Sequence, residues 1–510
     1  MPAVSQPIRL YASTVFIVSG LLMMLEILAG RLLAPYIGVS LYTWTSIIGV
    51  ILAGVSLGNW AGGVWSDRGA NERSVAIVLT LSGTTCLAVL LTLTLLAPWL
   101  ETMQLSALGA SFIYVCALFF VPSFFIGIIT PVLTTLALQR RTRTGHVVGM
   151  MNALSAAGSI IGTFLAGYWL IQYFGTHNLI IACAIACYLL AIPFYIGHLR
   201  IADTAILMLT LLIIMLTYQR NGYSSPCDRE SQYFCIRIVN ASDMVPHGFA
   251  NAMVLDNLLH GVNHETRPDM LVYPYVHAID EIVHKHFDSK VEKLDYFFAG
   301  GGSYTHPRAK SSLYPEARVT VSELDPAVTQ MATDHMNVTT DSIEIIHQDA
   351  RRVLQQYKQQ RFDVIVGDVF HDITLPFHLV TREYAQLIKS RLEQNGIYIM
   401  NIVDSEIDPL LVKSIYKTLL TEFRYVNIWT GGDTSKTLRQ TYILSASHGH
   451  DLPNKIDATH GFQRSWQKAN NRILENGKPL ERLPLLSDNY VPVDRLISTL
   501  IFEKKPTETF

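Results

Sequence analysis

Lysine is absent before Tyr218 in this 510-residue chain, and charge of either sign is scarce there: 13 of the 80 charged residues precede that tyrosine. With 16% charged residues overall and a formal net charge of −2, the chain lacks the basic surface of a nucleic-acid binder. With 50% hydrophobic residues and a mean hydropathy of +0.28, it equally lacks the composition of a disordered chain. Cysteine is sparse too: of six, only Cys227 and Cys235 lie beyond Tyr218. The abrupt change in charge marks two differently built halves, net +3 over the first 219 residues and −5 over the remainder.

The first half contains seven apolar runs of bilayer-spanning length, at 10–29, 43–65, 75–96, 107–138, 147–171, 178–197 and 201–218. The first run has no basic leader and no small-residue cleavage site, which argues against a removable signal peptide. The expectation for residues 1–219 is a multi-pass α-helical bundle in the lipid bilayer of a cell (inner) membrane. Gly49, Gly54, Gly58, Gly62 and Gly63 in the second run and Gly149, Gly158, Gly162 and Gly167 in the fifth offer small faces for close helix packing. Glu26, five residues before Arg31, reads as one half of a structural acid–base tie in preference to a transport pathway.

Orientation divides two readings. Arg68 and Arg73, then Arg140, Arg141 and Arg143, then Arg200 occupy alternate loops, which the positive-inside rule places in the cytoplasm. Seven crossings then leave the second half outside, where Cys227 and Cys235 are close enough in sequence for a disulfide. If the short seventh run lies along the membrane instead, the second half returns to the cytoplasm.

Residues 220–290 read as a small β module with a linker helix, its strands at 233–239 and 252–255 around a turn-rich 242–248. Residues 291–450 read as a βα series with strands at 294–298, 319–321, 343–347, 362–366 and 396–401, which implies an α/β, Rossmann-like parallel sheet. A C-terminal extension follows at 451–510. Chemistry gathers where the strands end. Gly300, Gly301, Gly302 and Ser303 follow the first strand, and glycines there let backbone N–H groups approach a ligand. Glu323 follows the second strand, where an acid can hold both hydroxyls of a ribose; Asp349 follows the third and Asp368 the fourth. Any one of these acids reads equally well as a helix N-cap, but together on one rim they point to an adenosine-type ligand. His277, His284 and His286 read as solvated residues of a surface helix with no acid cluster to complete a metal site. Arg351-Arg352 reads as unneeded for a ligand without phosphate, and the tail 503–510 as disordered.

The order Glu230-Ser231-x-Tyr233, Leu255-Asp256, Tyr273, Gly300-Gly301-Gly302, Glu323-Leu324-Asp325-Pro326, Gln348-Asp349-Ala350 and Gly367-Asp368 resembles the spermidine synthase (polyamine aminopropyltransferase) family. The segments 375–383 and 487–494 are similar to its membrane-fused branch, which joins a transporter-like helical bundle to a spermidine-synthase-like domain. The resemblance implies S-adenosylmethionine or its decarboxylated form as substrate, with no bound cofactor and no metal. It implies Gly300–Gly302 around the methionine-derived part, Glu323 on the ribose, Asp349 with Ala350 at the adenine, and Tyr233 and His260 at further ligand-binding positions. Asp368, with Tyr273 beside it, would bind and deprotonate the attacking amine.

The departures from that pattern thin out its carboxylates. Ser303 stands where the family usually has an acid, His371 where it has a second acid, His260 where a glutamine is usual, and Pro274 where a polar residue is usual. Fewer carboxylates repel the carboxylate of full S-adenosylmethionine less. That carboxylate can close a ring on Cγ, an intramolecular attack worth roughly 7–11 kcal/mol when well oriented. The first expectation is therefore a lyase releasing 5′-methylthioadenosine and homoserine lactone, served by Asp368, Tyr273, His371 and Ser303. The alternative is an aminopropyltransferase using decarboxylated S-adenosylmethionine and a polyamine, and a further one is a transporter or sensor that binds such ligands without turnover. No nucleic-acid partner is expected, and association of two copies stays open.

Overall fold

The computed structural model describes residues 7–500 apart from 104, 141–142, 199, 370–374, 432–438 and 499. The chain divides into two compact units, Met1–Cys235 and Ile236–Phe510.

The first unit is built from helices α1 (Ile8–Ile37), α2 (Leu41–Asp67), α3 (Glu72–Thr102), α4 (Ala107–Leu138), α5 (Thr144–Leu165), α6 (Ile171–Phe174), α7 (Thr176–Tyr195) and α8 (Thr204–Gln219). With a π-turn joining α5 to α6, they supply seven helical stretches long and apolar enough to cross a bilayer. Glycine decides which helices touch. Gly20 of α1 lies against Gly158 and Gly162 of α5, and a Cβ at Gly158 would overlap the Phe16 carbonyl. Gly54, Gly58 and Gly62 of α2 face the Phe120, Phe124 and Ile128 backbone of α4 in the same way.

The seventh run forms a helix packed lengthwise against α3. Arg73 pairs with Asp203 at 2.6 Å, Thr84 meets Thr210 at 2.7 Å, and Gly222, just past α8, lies against Thr94. Contacts that advance together along both helices mean that α8 runs beside α3 in the same direction. The 19 residues of Ile201–Gln219 reach ~28 Å at 1.5 Å per residue, about the hydrocarbon thickness. Outward-facing Met208 and Leu211 are 70% and 64% exposed, as suits a lipid-facing surface.

The two ends of this unit differ in chemistry. At one end Glu72 accepts from Tyr11 Oη at 2.6 Å and from Arg140 Nη2 at 2.7 Å, close to the Arg73–Asp203 pair. At the other, Arg31 donates to the carbonyls of Ser231 (2.8 Å) and Tyr233 (2.6 Å), and Glu230 accepts the Thr176 amide at 2.9 Å. Cys227 and Cys235 form a disulfide in that same segment. The expected Glu26–Arg31 tie is not made; the Arg31 guanidinium donates to the carbonyls of Ser231 and Tyr233 instead. These ties also explain why the division between units falls after the compositional break near Tyr218: segment 220–235 is bound to the helices.

In the second unit, strands β2 (Cys235–Asn240), β3 (Ala250–Leu255) and β4 (Leu258–His264) run as an antiparallel meander, following the two-residue β1 (Arg229–Glu230). Helix α9 (Pro274–His286) leads into a nine-stranded sheet made by β5 (Asp295–Ala299), β6 (Arg318–Ser322), β7 (Ile343–Ile346), β8 (Phe362–Gly367), β9 (Leu392–Ser405), β10 (Tyr425–Gly431), β11 (Arg439–Ser447), β12 (Lys455–Asp457) and β13 (Ser465–Lys468). The spatial order is β12-β13-β10-β11-β9-β8-β5-β6-β7, parallel from β9 to β7 and antiparallel beyond β9. All five strands expected from sequence are present. The winding reverses between β5 and β8, the place where open α/β sheets bind ligands. The extension at 451–510 is part of this sheet: its short strands β12 and β13 add to the antiparallel edge.

The glycine contacts yield a stability prediction. Gly158→Ala should lower stability in detergent by about 1–3 kcal/mol, the cost of forcing apart a close-packed pair. Gly149→Ala on the same helix, where a Cβ would meet nothing within 4 Å, should leave stability unchanged or raise it. Thermal unfolding of the two purified variants measures both.

Candidate active site

The loop after β5 turns through Gly300 (φ +91°) and Gly302 (φ +50°), conformations that side chains other than glycine rarely adopt. A Cβ at Gly300 would also overlap the Asp368 carbonyl, so the β5 and β8 strand ends touch through backbone. Glu323, at the end of β6, pins the loop. Its Oε2 accepts the amides of Gly301 (2.8 Å) and Gly302 (3.2 Å), and its Oε1 accepts the amide of Asp325 (2.9 Å). Burial pushes the Glu323 carboxyl up, and those three amides work against the rise.

Asp368 leaves the end of β8 into the interior. Tyr275 donates its hydroxyl to Asp368 Oδ2 at 2.9 Å and lies 3.2 Å from the His260 carbonyl; Asn401 of β9 donates to Oδ1 at 3.3 Å. Burial raises the Asp368 carboxyl to about 6, with the Tyr275 and Asn401 hydrogen bonds opposing. The tyrosine on this acid is therefore Tyr275, a residue not selected from sequence. Tyr273 is the extended N-cap of α9, its ring set edge-on to Tyr275 at 5.3 Å. Pro274, which breaks the family pattern, occupies the first turn of α9, where its fixed φ suits a helix start. It begins the helix that directs Tyr275 at Asp368.

A small cleft, open to solvent, brings Gly300, Gly301, Gly302, Ser303, His260, Tyr275 and Asp368 together at the switch point. Ser303 Oγ shares a hydrogen bond with Thr305 Oγ1 at 2.8 Å, and Thr305 donates on to Asn263 at 2.6 Å. His260 is half-buried, and desolvation lowers its pKa to about 4, so it is neutral at physiological pH. Its Nε2 has no hydrogen-bond partner. Asp368 is the sole carboxylate among the described residues that line the cleft.

Asp349 caps the helix that opens with buried Ala350, accepting the Arg352 amide at 3.1 Å, and its Oδ2 lies 2.7 Å from His378 Nε2. Burial works against its ionisation, yet the His378 and Arg352 contacts hold it below the usual carboxylate range. Arg351 forms a fork on Asp488 at 2.8 and 2.6 Å, which gives the 487–494 motif its place: it locks the turn beside Asp349. Tyr233 lies in the first unit, where its carbonyl receives Arg31, and it does not line the cleft. His371, Asp372 and the tail 503–510 lie outside the described residues. The histidines of α9 are not solvated: His277 and His286 are each 1% exposed, because the strands and turns of the C-terminal extension cover that helix. Asp280 and Glu281 of α9, with His460 of the extension, supply the acid and imidazole neighbours that the sequence did not suggest.

The pinning of the loop is testable without any ligand. Glu323→Gln replaces one acceptor oxygen by a donor facing backbone N–H groups. Hydrogen bonds to a charged group are worth about 1.5–3 kcal/mol, so amide exchange at Gly301 and Gly302 should rise roughly 10–100-fold. Hydrogen–deuterium exchange on the full chain reads this directly.

Comparison with known proteins bears on the second unit. Residues 306–430 match the model of the Spermine/spermidine synthase domain. A polyamine aminopropyltransferase of Vibrio vulnificus (strain CMCP6) is 33% identical over 118 residues, 22% of this chain and 39% of that protein. A probable polyamine aminopropyl transferase of Bifidobacterium longum (strain NCC 2705) is 24% identical over 213 residues, 39% of this chain and 47% of that protein. The chain thus spans less than half the length of the curated relatives it matches. The crystal structure of a probable spermidine synthase from Corynebacterium glutamicum ATCC 13032 aligns over 49% of this chain and 94% of its own, at 20% identity and a TM-score of 0.43. The resemblance drawn from the motifs is met over residues 306–430, which match the Spermine/spermidine synthase domain, and the two curated relatives are named as an aminopropyltransferase and a probable one.

Proposed function

We propose that this protein is an integral membrane aminopropyltransferase, which moves the aminopropyl group of decarboxylated S-adenosylmethionine to an amine. The observation that carries this reading is Asp368: a half-buried carboxyl raised to about 6, hydrogen-bonded by Tyr275 and Asn401, beside a glycine loop at the sheet's switch point. A base with that pKa is ionised at neutral pH yet retains proton affinity. Asp368 accepts a proton from the acceptor's ammonium, the freed nitrogen attacks Cγ next to the sulfonium, the C–S bond breaks and neutral 5′-methylthioadenosine leaves. Gly300–Gly302, Glu323 and Asp349 with Ala350 are the residues we assign to the adenosyl donor, with His260 and Ser303 at the aminopropyl end.

One observation favours a second reading. With Asp368 the only carboxylate among the described residues lining the cleft and His260 neutral, the site is tolerant of a substrate carboxylate. That would admit intact S-adenosylmethionine and its cleavage to homoserine lactone. Incubating the purified protein with decarboxylated donor plus putrescine, and separately with S-adenosylmethionine alone, discriminates them. Methylthioadenosine is expected in the first reaction only. Its appearance in the second establishes the lyase, and tight adenosyl binding with no product in either leaves a sensor or transporter.

We further assign the second unit to the outer, oxidising side of the membrane. Supporting this are the disulfide segment, held at the end of the first unit opposite its arginine-bearing loops, and the alignment of α8 with α3. An enzyme reporter that is active only outside the cytoplasm, fused after Phe510, should be active; an inactive reporter with an active cytoplasmic counterpart reverses the assignment.

Asp368→Asn should reduce kcat by about 10²–10⁴-fold, the usual contribution of a positioned base, with methylthioadenosine affinity unchanged. On the acid side, kcat/KM should fall about tenfold per pH unit below about 6, as the base takes up its proton. Tyr275→Phe removes a hydrogen bond that favours the ionised form, so that limb should move to higher pH.

A further inference from the structure

A second cluster of chemistry-bearing side chains lies in the same unit, outside the cleft. His277 and Glu281 are four residues apart on α9 and share a face, and His460 reaches them from the C-terminal extension. His277 Nε2 is 3.4 Å from Glu281 Oε1, and His460 Nδ1 is 3.0 Å from the same oxygen. Donors about 2.0–2.1 Å from a tetrahedral zinc ion stand ~3.3 Å from one another, so both separations fit edges of such a polyhedron. The three ligand atoms all lie within 4.8 Å of one another.

Two independent features point to an occupant. His277 is 1% exposed; its Nδ1 has no hydrogen-bond partner and its Nε2 faces Glu281 Oε1 at 3.4 Å without a well-formed hydrogen bond, with Trp466 packed edge-on at 5.2 Å. A buried imidazole so poorly satisfied is costly unless something meets one of its nitrogens. The outer contacts are also those of a metal centre. His460 turns its other nitrogen, Nε2, to Asp280 Oδ2 at 2.9 Å, the carboxylate-to-histidine pairing that orients metal-bound imidazoles. Asp280 is in turn held by His306 Nε2 at 2.9 Å and by Lys310, while Thr459 donates its hydroxyl to Glu281 Oε2 at 2.9 Å.

We propose that His277, Glu281 and His460 bind one divalent cation of the zinc class, with Asp280 as the outer partner of His460. Two imidazoles and one carboxylate suit zinc over magnesium or calcium, which take oxygen ligands. The remaining coordination position opens at His460, which is about one-third exposed. The cation fastens the turn at 459–461 to α9, the helix whose first turn carries Tyr275 to Asp368. It is a positioning metal, one layer removed from the reacting atoms: His306, which holds Asp280, also lines the cleft.

The test uses the full chain in detergent, stripped by chelator and then dialysed. Calorimetric titration with zinc chloride should give one equivalent with a sub-micromolar Kd. Cobalt(II) should give the visible bands of a four-coordinate site without a sulfur-to-metal band, which separates this site from the cysteines. His277→Gln and His460→Gln should each abolish stoichiometric uptake, and Asp280→Asn should weaken it about 10–100-fold. His460 sits on a partly exposed turn, so its replacement removes little packing, and its melting curve and its gel-filtration profile confirm folding. No uptake by the unaltered protein, uptake unchanged in both histidine variants, or a sulfur-to-metal band overturns the proposal. None of these readouts involves adenosyl chemistry, so the outcome is independent of the function proposed above.

Discussion

A carboxylate taken out of water must be given hydrogen bonds, and Asp368 is the one around which the second unit is arranged. Its two donors come from different elements, Tyr275 from α9 and Asn401 from β9. Its backbone closes the arrangement: the Asp368 amide donates to the Ala299 carbonyl at 3.0 Å, and its carbonyl sits where a side chain at Gly300 would be. A helix start, two strand ends and a glycine turn therefore have to converge on a single residue. The raised pKa that makes Asp368 suitable as a base is the residue of that burial, incompletely offset by the two donors.

The parts of this architecture that could be read from sequence are those written in short-range periodicity. Bilayer-length apolar runs, the five parallel strands and the rim acids Glu323, Asp349 and Asp368 each follow from residues near one another in the chain. What could not be read depends on long-range contact. Tyr275, two residues beyond Tyr273 and in the first turn of the helix that Pro274 begins, donates to Asp368, a contact that only the packed structure reveals. The histidines of α9 looked solvated because the segment that buries them, around His460 and Trp466, arrives almost two hundred residues later. Arg351 had no visible partner for the same reason, since Asp488 is 137 residues away. Strands β12 and β13 are three and four residues long and too brief to carry an alternating pattern.

In the first unit the constraint is different, because lipid offers no hydrophobic drive for one helix to prefer another. Shape then decides, and the glycines at the α1–α5 and α2–α4 contacts admit backbone to backbone approach that any side chain would block. Most charged residues lie toward the two ends, and several there have defined partners. Glu72 gathers Tyr11 and Arg140 at one end, and Arg31 holds the carbonyls of a segment rich in turns at the other. In place of the expected acid–base tie inside the first run, the Arg31 guanidinium is held by two backbone carbonyls of that turn segment.

The nine-stranded sheet has one more property. It terminates on two of its shortest strands, β7 with four residues and β12 with three, and the latter carries a lysine and an aspartate paired at 2.6 Å. Brief, charged margins are poor templates for another chain's backbone. Molecules confined to a membrane plane meet one another far more often than molecules free in solution. A sheet with blunt margins can be carried there at high surface density without zipping edge to edge into fibrous aggregates.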